Sequence, residues 1–185
     1  MQLILVRHPL PAVAPGLCYG SSDIEVDQTA AQAALAAIAE AVPPALPIFS
    51  SPLRRCSALS IPLAARLGQT SPIFDARLAE MDFGTWEMRS WDSIPREEID
   101  AWSSDLVHRA PGGGETVLQV VTRVAAFLDE VRTQPGAIVV CHAGTIRILR
   151  ALQQARAGAR LEDVAFTAAS TVHRIDYASV VSLQF

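Results

Sequence analysis

The sequence predicts an α/β fold in which a mostly parallel sheet lies between two layers of helices. Apolar runs of strand length alternate along the chain with longer segments of helical periodicity, which is the pattern of strands joined by crossover helices. Half of the 185 residues are hydrophobic, enough to cover both faces of such a sheet. We expect one domain over residues 1–185, built as a three-layer α/β/α sandwich with an antiparallel edge strand.

The first predicted strand covers residues 3–6 and leads directly into Arg7 and His8. A second apolar run, residues 137–141, leads into His142 in the same way. Ligands of open α/β sheets bind beyond the carboxyl ends of the strands. We therefore expect Arg7, His8 and His142 to lie at the functional site.

Local signals predict the other elements. Asp27 is the predicted N-cap of one helix; Ser51 caps the next, with Pro52 in its first turn, and Pro62 is expected to kink or split that helix. The predicted helices cover residues 28–41, 51–67, 95–106, 115–132 and 145–154, and the further predicted strands cover residues 46–49, 72–74, 170–177 and 180–185. The last two strands are expected to form a closing hairpin, and residues 9–27 and 77–91 are predicted to be irregular.

Charge and cysteine content exclude several classes of protein. All 15 basic residues are arginine and the net charge is -4, which does not favour a nucleic acid or an anionic membrane as partner. The three cysteines form no C-x-x-C pair, so neither a disulfide framework nor a thiolate zinc site is indicated. The first residues lack the pattern of a signal peptide and no apolar run reaches the length of a membrane span, so we expect a cytoplasmic protein.

Four short motifs occur in order along the chain. They are Arg7-His8, residues 51–55 (SPLRR), Glu80 followed by residues 83–87 (FGTWE), and residues 140–144 (VCHAG). In order and spacing they resemble the motifs of the histidine phosphatase superfamily, which includes phosphoglycerate mutases, acid phosphatases and α-ribazole phosphatases. The resemblance extends over nearly the whole chain and implies a phosphoglycerate mutase-like fold.

The resemblance implies a phosphoryl transfer that needs no metal ion or other cofactor. His8 would attack phosphorus and form a phosphohistidine intermediate, while Arg7, Arg55 and His142 would bind the phosphoryl group. A protonated His142 would contribute both a charge and a donor. Glu80 would protonate the leaving group and then activate water.

Spacing alone does not separate Glu80 from two neighbouring carboxylates, Asp82 and Glu87, which therefore remain alternatives for the acid and base role. The sequence also departs from the family pattern at Pro9, where the family usually has glycine. Proline removes an N–H group that could contact phosphate. The departure affects the expected phosphate cradle and leaves every expected catalytic group in the chain.

Cys141 offers a rival nucleophile. Residues 141–147 satisfy the C-x5-R pattern of cysteine-based phosphatases, in which loop N–H groups hold phosphate while a low-pKa thiolate attacks. That mechanism leaves Arg7, His8 and Glu80 without a role, so the histidine mechanism is preferred. A non-catalytic phospho-ligand binder is a further alternative, against which the acid at Glu80 argues.

The expected substrate is a small-molecule phosphate monoester. Mutases of the superfamily are typically longer, so hydrolysis is favoured, and residues 78–89 are similar to the corresponding stretch of α-ribazole phosphatases. This similarity implies α-ribazole 5′-phosphate or a related intermediate of the cobalamin nucleotide loop. A broad-specificity acid phosphatase or a phosphoglycerate mutase-type enzyme is the alternative, and the choice between monomer and homodimer stays open.

Several aromatic side chains of the predicted loops could either stack on an aromatic substrate or pack the loops onto the domain: Tyr19, Phe83, Trp86 and Trp91. Arg89 could reach a second anionic or polar group of the substrate or remain solvated.

Overall fold

A computed structural model describes residues 1–172 and 174–185. The strands of one sheet are β1 (Gln2–Arg7), β2 (Ile48–Ser50), β3 (Ile73–Phe74), β4 (Gly136–Cys141) and β5 (Val180–Gln184). The α-helices are α1 (Gln28–Ala41), α2 (Arg54–Arg66), α3 (Arg96–Ser104), α4 (Val117–Val131), α5 (Ala143–Gln154) and α6 (Leu161–Ser170). Short 3-10 turns cover Ala76–Leu78, Gly84–Trp86, Trp91–Ser93 and Pro111–Gly113.

The strand order in the sheet is β3-β2-β4-β1-β5, and only β5 runs antiparallel to its neighbour. The predicted parallel sheet with one antiparallel edge strand is therefore confirmed. Arg7 at the end of β1 lies opposite Cys141 at the end of β4. Because the two strands are parallel and adjacent, the residues that follow them leave the sheet side by side.

Alternate residues of β1 face two separate cores. Leu3 and Leu5 pack in the larger core together with the buried faces of α4, α5 and α6. Ile4 and Val6 pack in the smaller core with α1 and α2. Side chains of one strand point alternately to the two faces of a sheet, so both faces are covered and the predicted three layers are confirmed.

Polar side chains fix where two of the helices begin. The Asp27 carboxylate accepts a hydrogen bond from the Ala30 N–H and caps α1, as predicted. Thr116 and Gln119 form a capping box at the start of α4, where each side chain bonds the other residue's backbone N–H. These caps satisfy N–H groups that a helix leaves unpaired at its first turn.

The predicted start of the helix after β2 is wrong. Leu53, not Ser51, is the N-cap of α2. The Ser51 N–H continues the sheet by donating to the Val140 carbonyl, so Ser51 belongs to the strand side of the turn. Of the two outcomes predicted at Pro62, the split is wrong, because α2 continues through this residue with Leu59 and Leu63 fully buried on either side. The kink stays a prediction.

The predicted C-terminal hairpin is wrong. The sequence pattern did not predict α6, which buries Val164, Ala165 and Ala168 and ends at Ser170. Apart from residue 173, which lies outside the described residues, residues 171–177 contain no strand. β5 pairs with β1 instead, because β1 has an edge that β4 does not occupy. Among the described residues, no helix is long and apolar enough to cross a membrane.

Candidate active site

Two histidines meet at the carboxyl ends of the two central strands. His8 follows β1 and His142 follows β4, and their ring centroids lie 5.1 Å apart. Both are buried, with exposed fractions of 2% and 0%. The expected clustering of strand-end residues therefore follows from the register of β1 and β4.

The hydrogen bond of His8 fixes which ring nitrogen carries the proton. Its Nδ1 lies 2.7 Å from the Pro9 carbonyl oxygen, which can only accept, so Nδ1 is the donor. Burial, followed by the charges of Arg55 and Arg7, lowers the pKa of His8 to about 3. The imidazole is therefore neutral near pH 7 and its Nε2 has a free lone pair. Pro9 lacks an N–H group, yet its carbonyl orients the ring.

His142 is held as a neutral ring of the opposite tautomer. Arg55 Nε donates to His142 Nδ1 at 3.2 Å, so the proton lies on Nε2, which is 2.8 Å from Ser51 Oγ. Burial lowers the pKa of His142 well below its ordinary value, and the charges of Arg55 and then His8 act in the same direction. In this state His142 provides a neutral N–H donor and no positive charge, unlike the charged form considered from the sequence.

Arg55 is fully buried and ties the site to the preceding loop. Besides its bond to His142, it donates from Nη1 to the Ser22 carbonyl at 2.7 Å and from Nη2 to the Gly20 carbonyl. Its neighbour Arg54 is more than half exposed and pairs with Glu25 on the surface. Of the two arginines, only Arg55 faces the histidines.

Arg7 ends β1 and directly precedes His8. Its Nη1 donates to the Ile175 carbonyl, and its guanidinium carbon lies 3.8 Å from the centroid of the Tyr177 ring. Its Nε is buried and makes no hydrogen bond within the described part of the chain. Arg7 therefore brings a positive charge with a donor available for an anion.

Glu80 lies against the N-terminus of α5 and contacts the residue two positions beyond His142. Its Oε2 accepts from the Gly144 N–H at 3.0 Å and its Oε1 accepts from the Met81 N–H at 3.1 Å. A Cβ at position 144 would overlap Glu80 Oε1. Glycine at this position is therefore what allows the carboxylate to approach the helix.

A partly buried ion pair holds the segment that carries Glu80. Arg123 donates to the carbonyls of Ala79 at 2.7 Å and Glu80 at 3.2 Å, and its Nη2 lies 2.9 Å from Glu115 Oε2. Glu115 also accepts from the Asp82 N–H at 3.1 Å. Glu115 thus helps to fix the position of Glu80 and does not line the cavity described below.

The two alternative carboxylates are occupied by loop contacts. Burial alone would raise the pKa of Glu87, but hydrogen bonds hold it below its ordinary value; the donors are Ser22 and the backbone N–H groups of Phe83, Gly20 and Ser21. Asp82 accepts from Ser21 Oγ and the Gly84 N–H. These contacts make Asp82 and Glu87 anchors of residues 20–22, whereas Glu80 is bonded to the first turn of α5, the helix that follows His142.

The surroundings of Cys141 argue against the mechanism in which it is the nucleophile. Its side chain is fully buried, and burial, followed by the neighbouring Cys56, raises the pKa of its thiol well above the ordinary value. Its carbonyl accepts from the His8 N–H, and the residues after His142 already belong to α5. A low-pKa thiolate in a phosphate-cradling loop is therefore not what this stretch provides.

An apolar cavity of about 250 Å³ opens beside Glu80 and Gly144. Its wall contains two of the predicted aromatics, Tyr19 and Phe83. The other lining residues are Met81, Trp102, Leu106, Val117, Val120, Ala143, Arg147, Ile148, Ala168 and Ala169. The cavity thus lies against Glu80 and the first turn of α5, the helix that follows His142.

The other two predicted aromatics lie outside this wall. Trp86 is 1% exposed and donates from Nε1 to Glu98 at 2.7 Å, so it packs the loops. Trp91 packs edge-on against Phe83 and Trp86. Arg89 donates to the Ser93 carbonyl at 2.6 Å. Trp86 and Trp91 therefore pack the loops, and Arg89 bonds the loop backbone.

Sequence reasoning missed several residues of the site: Ser51 as a partner of His142, Tyr177 on Arg7, and Trp102 and Arg147 in the cavity wall. Ser51 belongs to a recognised motif, so its position was a usable signal. Trp102 and Tyr177 are far from the motifs in sequence and reach the site only through the fold. No group of three or more His, Cys, Asp or Glu side chains among the described residues is arranged to hold a metal ion.

The sequence matches the profile of one protein family from residue 3 to residue 181, and that family is described as the histidine phosphatase superfamily (branch 1). A curated relative, the adenosylcobalamin/α-ribazole phosphatase of Escherichia coli (strain K12), is 36% identical over 78 residues. This match covers 39% of the chain and 38% of that protein, so it spans well under two thirds of the relative's length.

Solved structures match nearly the whole chain. A mycobacterial glucosyl-3-phosphoglycerate phosphatase in complex with VO3 is 25% identical with a TM-score of 0.79, covering 99% of this chain and 92% of that one. A phosphoglycerate mutase from Thermus thermophilus is 26% identical with a TM-score of 0.71, covering 98% and 92%. The predicted phosphoglycerate mutase-like fold is thereby confirmed.

Proposed function

This chain belongs to the histidine phosphatase superfamily (branch 1), and we propose that within it the protein is a phosphomonoester hydrolase acting through a phosphohistidine. The superfamily and its phosphatase-named relatives make it an enzyme of the phosphatase or mutase type. The observation that carries the finer proposal is the state of His8: a neutral imidazole with Nδ1 bound to a carbonyl and Nε2 free. That is the form in which a histidine attacks phosphorus.

In the first step, His8 Nε2 forms a bond to phosphorus as the ester P–O bond breaks. Arg7 and Arg55 stabilise the charge on the phosphoryl oxygens, and the His142 N–H joins them by exchanging its bond to Ser51 Oγ for one to a phosphoryl oxygen. Glu80 gives its proton to the departing alkoxide, which leaves as an alcohol. The products of this step are the free alcohol and phosphohistidine.

In the second step, a water molecule attacks phosphorus and the P–N bond to His8 breaks. Glu80, now a carboxylate, takes the water proton, which restores the starting protonation state of the site. Inorganic phosphate leaves. The same carboxylate serves both steps because the alcohol and the water occupy the same side of phosphorus in turn.

The cavity supports a substrate whose leaving alcohol has a large apolar part. Phe83, Trp102 and Tyr19 offer ring surfaces beside Glu80. The benzimidazole of α-ribazole 5′-phosphate has this character, and the Escherichia coli relative is named for α-ribazole. We assign that ester, or a related cobalamin nucleotide-loop intermediate, as the substrate. A small, highly charged phosphoglycerate matches such walls poorly.

The test is turnover in EDTA of 4-nitrophenyl phosphate, α-ribazole 5′-phosphate and 3-phosphoglycerate. We expect α-ribazole 5′-phosphate to have the highest kcat/KM and His8→Ala to lose about 10³-fold or more. Cys141→Ser should stay within about threefold of wild type, since the thiol is a buried packing group. Exposed His108→Ala is the matched histidine control.

Rapid acid-free quenching with labelled substrate should trap phosphohistidine in wild type and not in His8→Ala. Loss of activity in Cys141→Ser with retention in His8→Ala would overturn the histidine mechanism. Equal rates on all esters would reduce the proposal to a broad-specificity phosphatase, and interconversion of phosphoglycerates without phosphate release would establish the mutase alternative.

A further inference from the structure

The chain has two tyrosines, and they are bonded to each other. Tyr19 comes from the loop before α1 and Tyr177 from the segment before β5, 158 positions later. Their hydroxyl oxygens lie 2.8 Å apart. The contact joins two segments that both border the candidate active site.

Each tyrosine also contacts one of the two arginines expected to bind phosphate. The Tyr177 ring lies 3.8 Å from the Arg7 guanidinium carbon and 5.6 Å from the His8 ring. The Tyr19 ring lies 5.6 Å from the Arg55 guanidinium carbon. The hydroxyl pair therefore completes a chain of contacts that runs from Arg7 to Arg55 across the phosphate end of the site.

The chemistry of the pair suits this location. Burial, followed by the contact with Tyr177, raises the pKa of Tyr19, so this phenol stays protonated at neutral pH. Two phenols in one O–H···O bond use one hydrogen and leave the second free to donate. One O–H of the pair therefore remains available as a donor beside the two arginines.

We propose that Tyr19 and Tyr177 form a positioning pair that holds Arg7 and Arg55 in register for the phosphoryl group. The inference rests on the proposed function, because that function assigns the arginines to phosphate. Cation–π contact fixes the plane of each guanidinium, and the hydroxyl bond fixes the two rings relative to each other. Loss of either hydroxyl breaks the same link.

The test measures the affinity of inorganic phosphate, by calorimetry, in wild type, Tyr19→Phe, Tyr177→Phe and the double variant. Each single variant should weaken binding by about three- to tenfold, the value of one hydrogen bond. The double variant should bind as the singles do, because the link is lost only once. Thr122→Val, which removes an exposed hydroxyl from α4, is the matched control and should bind as wild type does.

Two further readouts separate positioning from a structural role. KM for the best ester should rise by the same factor as the phosphate Kd, with kcat within about twofold. Melting temperatures should stay close to that of wild type. Unchanged phosphate affinity in both single variants, losses that multiply in the double variant, or a lowered melting temperature that accounts for weaker binding would overturn the inference.

Failure of this inference and failure of the proposed function give different results. A wild type that hydrolyses esters while both Tyr→Phe variants behave like it overturns the tyrosine pair alone. If the single and double variants weaken phosphate binding by the same factor but wild type hydrolyses no ester, the hydrolase proposal is overturned and the tyrosine pair is kept. A wild type that binds no phosphate overturns both.

Discussion

The two ends of the candidate active site are built from different parts of the fold. At the end where we propose that phosphate binds, called the phosphate end, His8 and His142 follow adjacent strands directly, and Arg55 lies in the first turn of α2. At the leaving-group end, Glu80 lies on an irregular segment and the cavity wall comes from helices and loops far apart in sequence. One end is set by strand register and the other by loop packing.

This difference indicates which parts of the chain determine the reaction and which determine the choice of substrate. Strand register leaves the two histidines little freedom, because β1 and β4 are buried on both faces. Glu80 depends instead on Arg123 and on the absence of a side chain at Gly144. The leaving-group end can therefore change with the loops while the phosphate end stays fixed.

The largest expected effect comes from removing the acid. Glu80→Gln should lower kcat/KM by about 10²–10⁴-fold for an alkyl phosphate, whose alkoxide needs a proton, and much less for 4-nitrophenyl phosphate. The measurement is kcat/KM across esters of graded leaving-group pKa. Phosphate affinity should stay near that of wild type, since the phosphate end is intact.

Glu87→Gln is the matched control, because Glu87 anchors residues 20–22. It should lower stability and leave the dependence on leaving group unchanged. A steeper leaving-group dependence in Glu87→Gln than in Glu80→Gln would exchange the roles of the two carboxylates. The description of the leaving-group end given above would then be wrong.

The clustering of the strand-end residues could be predicted from the sequence for a physical reason. Apolar runs that stop at Arg7-His8 and His142 show where strands end, and parallel pairing then brings the ends together. The leaving-group end has no such local signal. Trp102 enters the cavity wall through α3. The helix α6 was missed because two of its three buried residues are small alanines, which give a weak periodic pattern.

Local competition also explains the errors at element boundaries. Ser51 has the residue type of a helix cap, but its backbone is taken by the sheet and its hydroxyl by His142. At the C-terminus, the β-forming residue types of the predicted strand over residues 170–177 did not produce a hairpin, because β5 pairs with the free edge of β1. In both places tertiary contacts decided between two local structures that the sequence allowed.

A smaller effect is expected from filling the space beside the acid. In Gly144→Ala the new methyl group would overlap Glu80 Oε1, so the carboxylate must move. We expect kcat to fall by about tenfold or more, with phosphate affinity unchanged. The measurements are steady-state kinetics on an alkyl phosphate and phosphate binding by calorimetry.

The matched control combines Gly144→Ala with Glu80→Ala. Alanine stabilises a helix by roughly 0.5–1 kcal/mol relative to glycine. With Glu80 intact, that gain should be lost to the overlap, and in the Glu80→Ala background it should appear. A stabilising effect of Gly144→Ala in both backgrounds would show that Glu80 does not depend on this approach.

The smallest expected effect is on the acid stability of the phosphate end. In the folded chain burial lowers the pKa of His8 to about 3, whereas in the unfolded chain it is about 6.5. Between these values the unfolded chain binds more protons, so the free energy of unfolding falls as pH falls. From pH 7 to pH 5 this histidine alone accounts for a loss of about 2 kcal/mol.

His8→Asn should flatten this dependence, because asparagine can still donate to the Pro9 carbonyl but does not titrate. Urea unfolding at pH 7 and pH 5 measures the change, with exposed His108→Asn as control. At pH 7 the variant should have nearly the stability of wild type, and at pH 5 it should be more stable. Equal pH slopes in wild type and His8→Asn would mean that burial does not keep His8 neutral. The phosphate end would then be fixed in position by strand register but not in the charge state of its histidine.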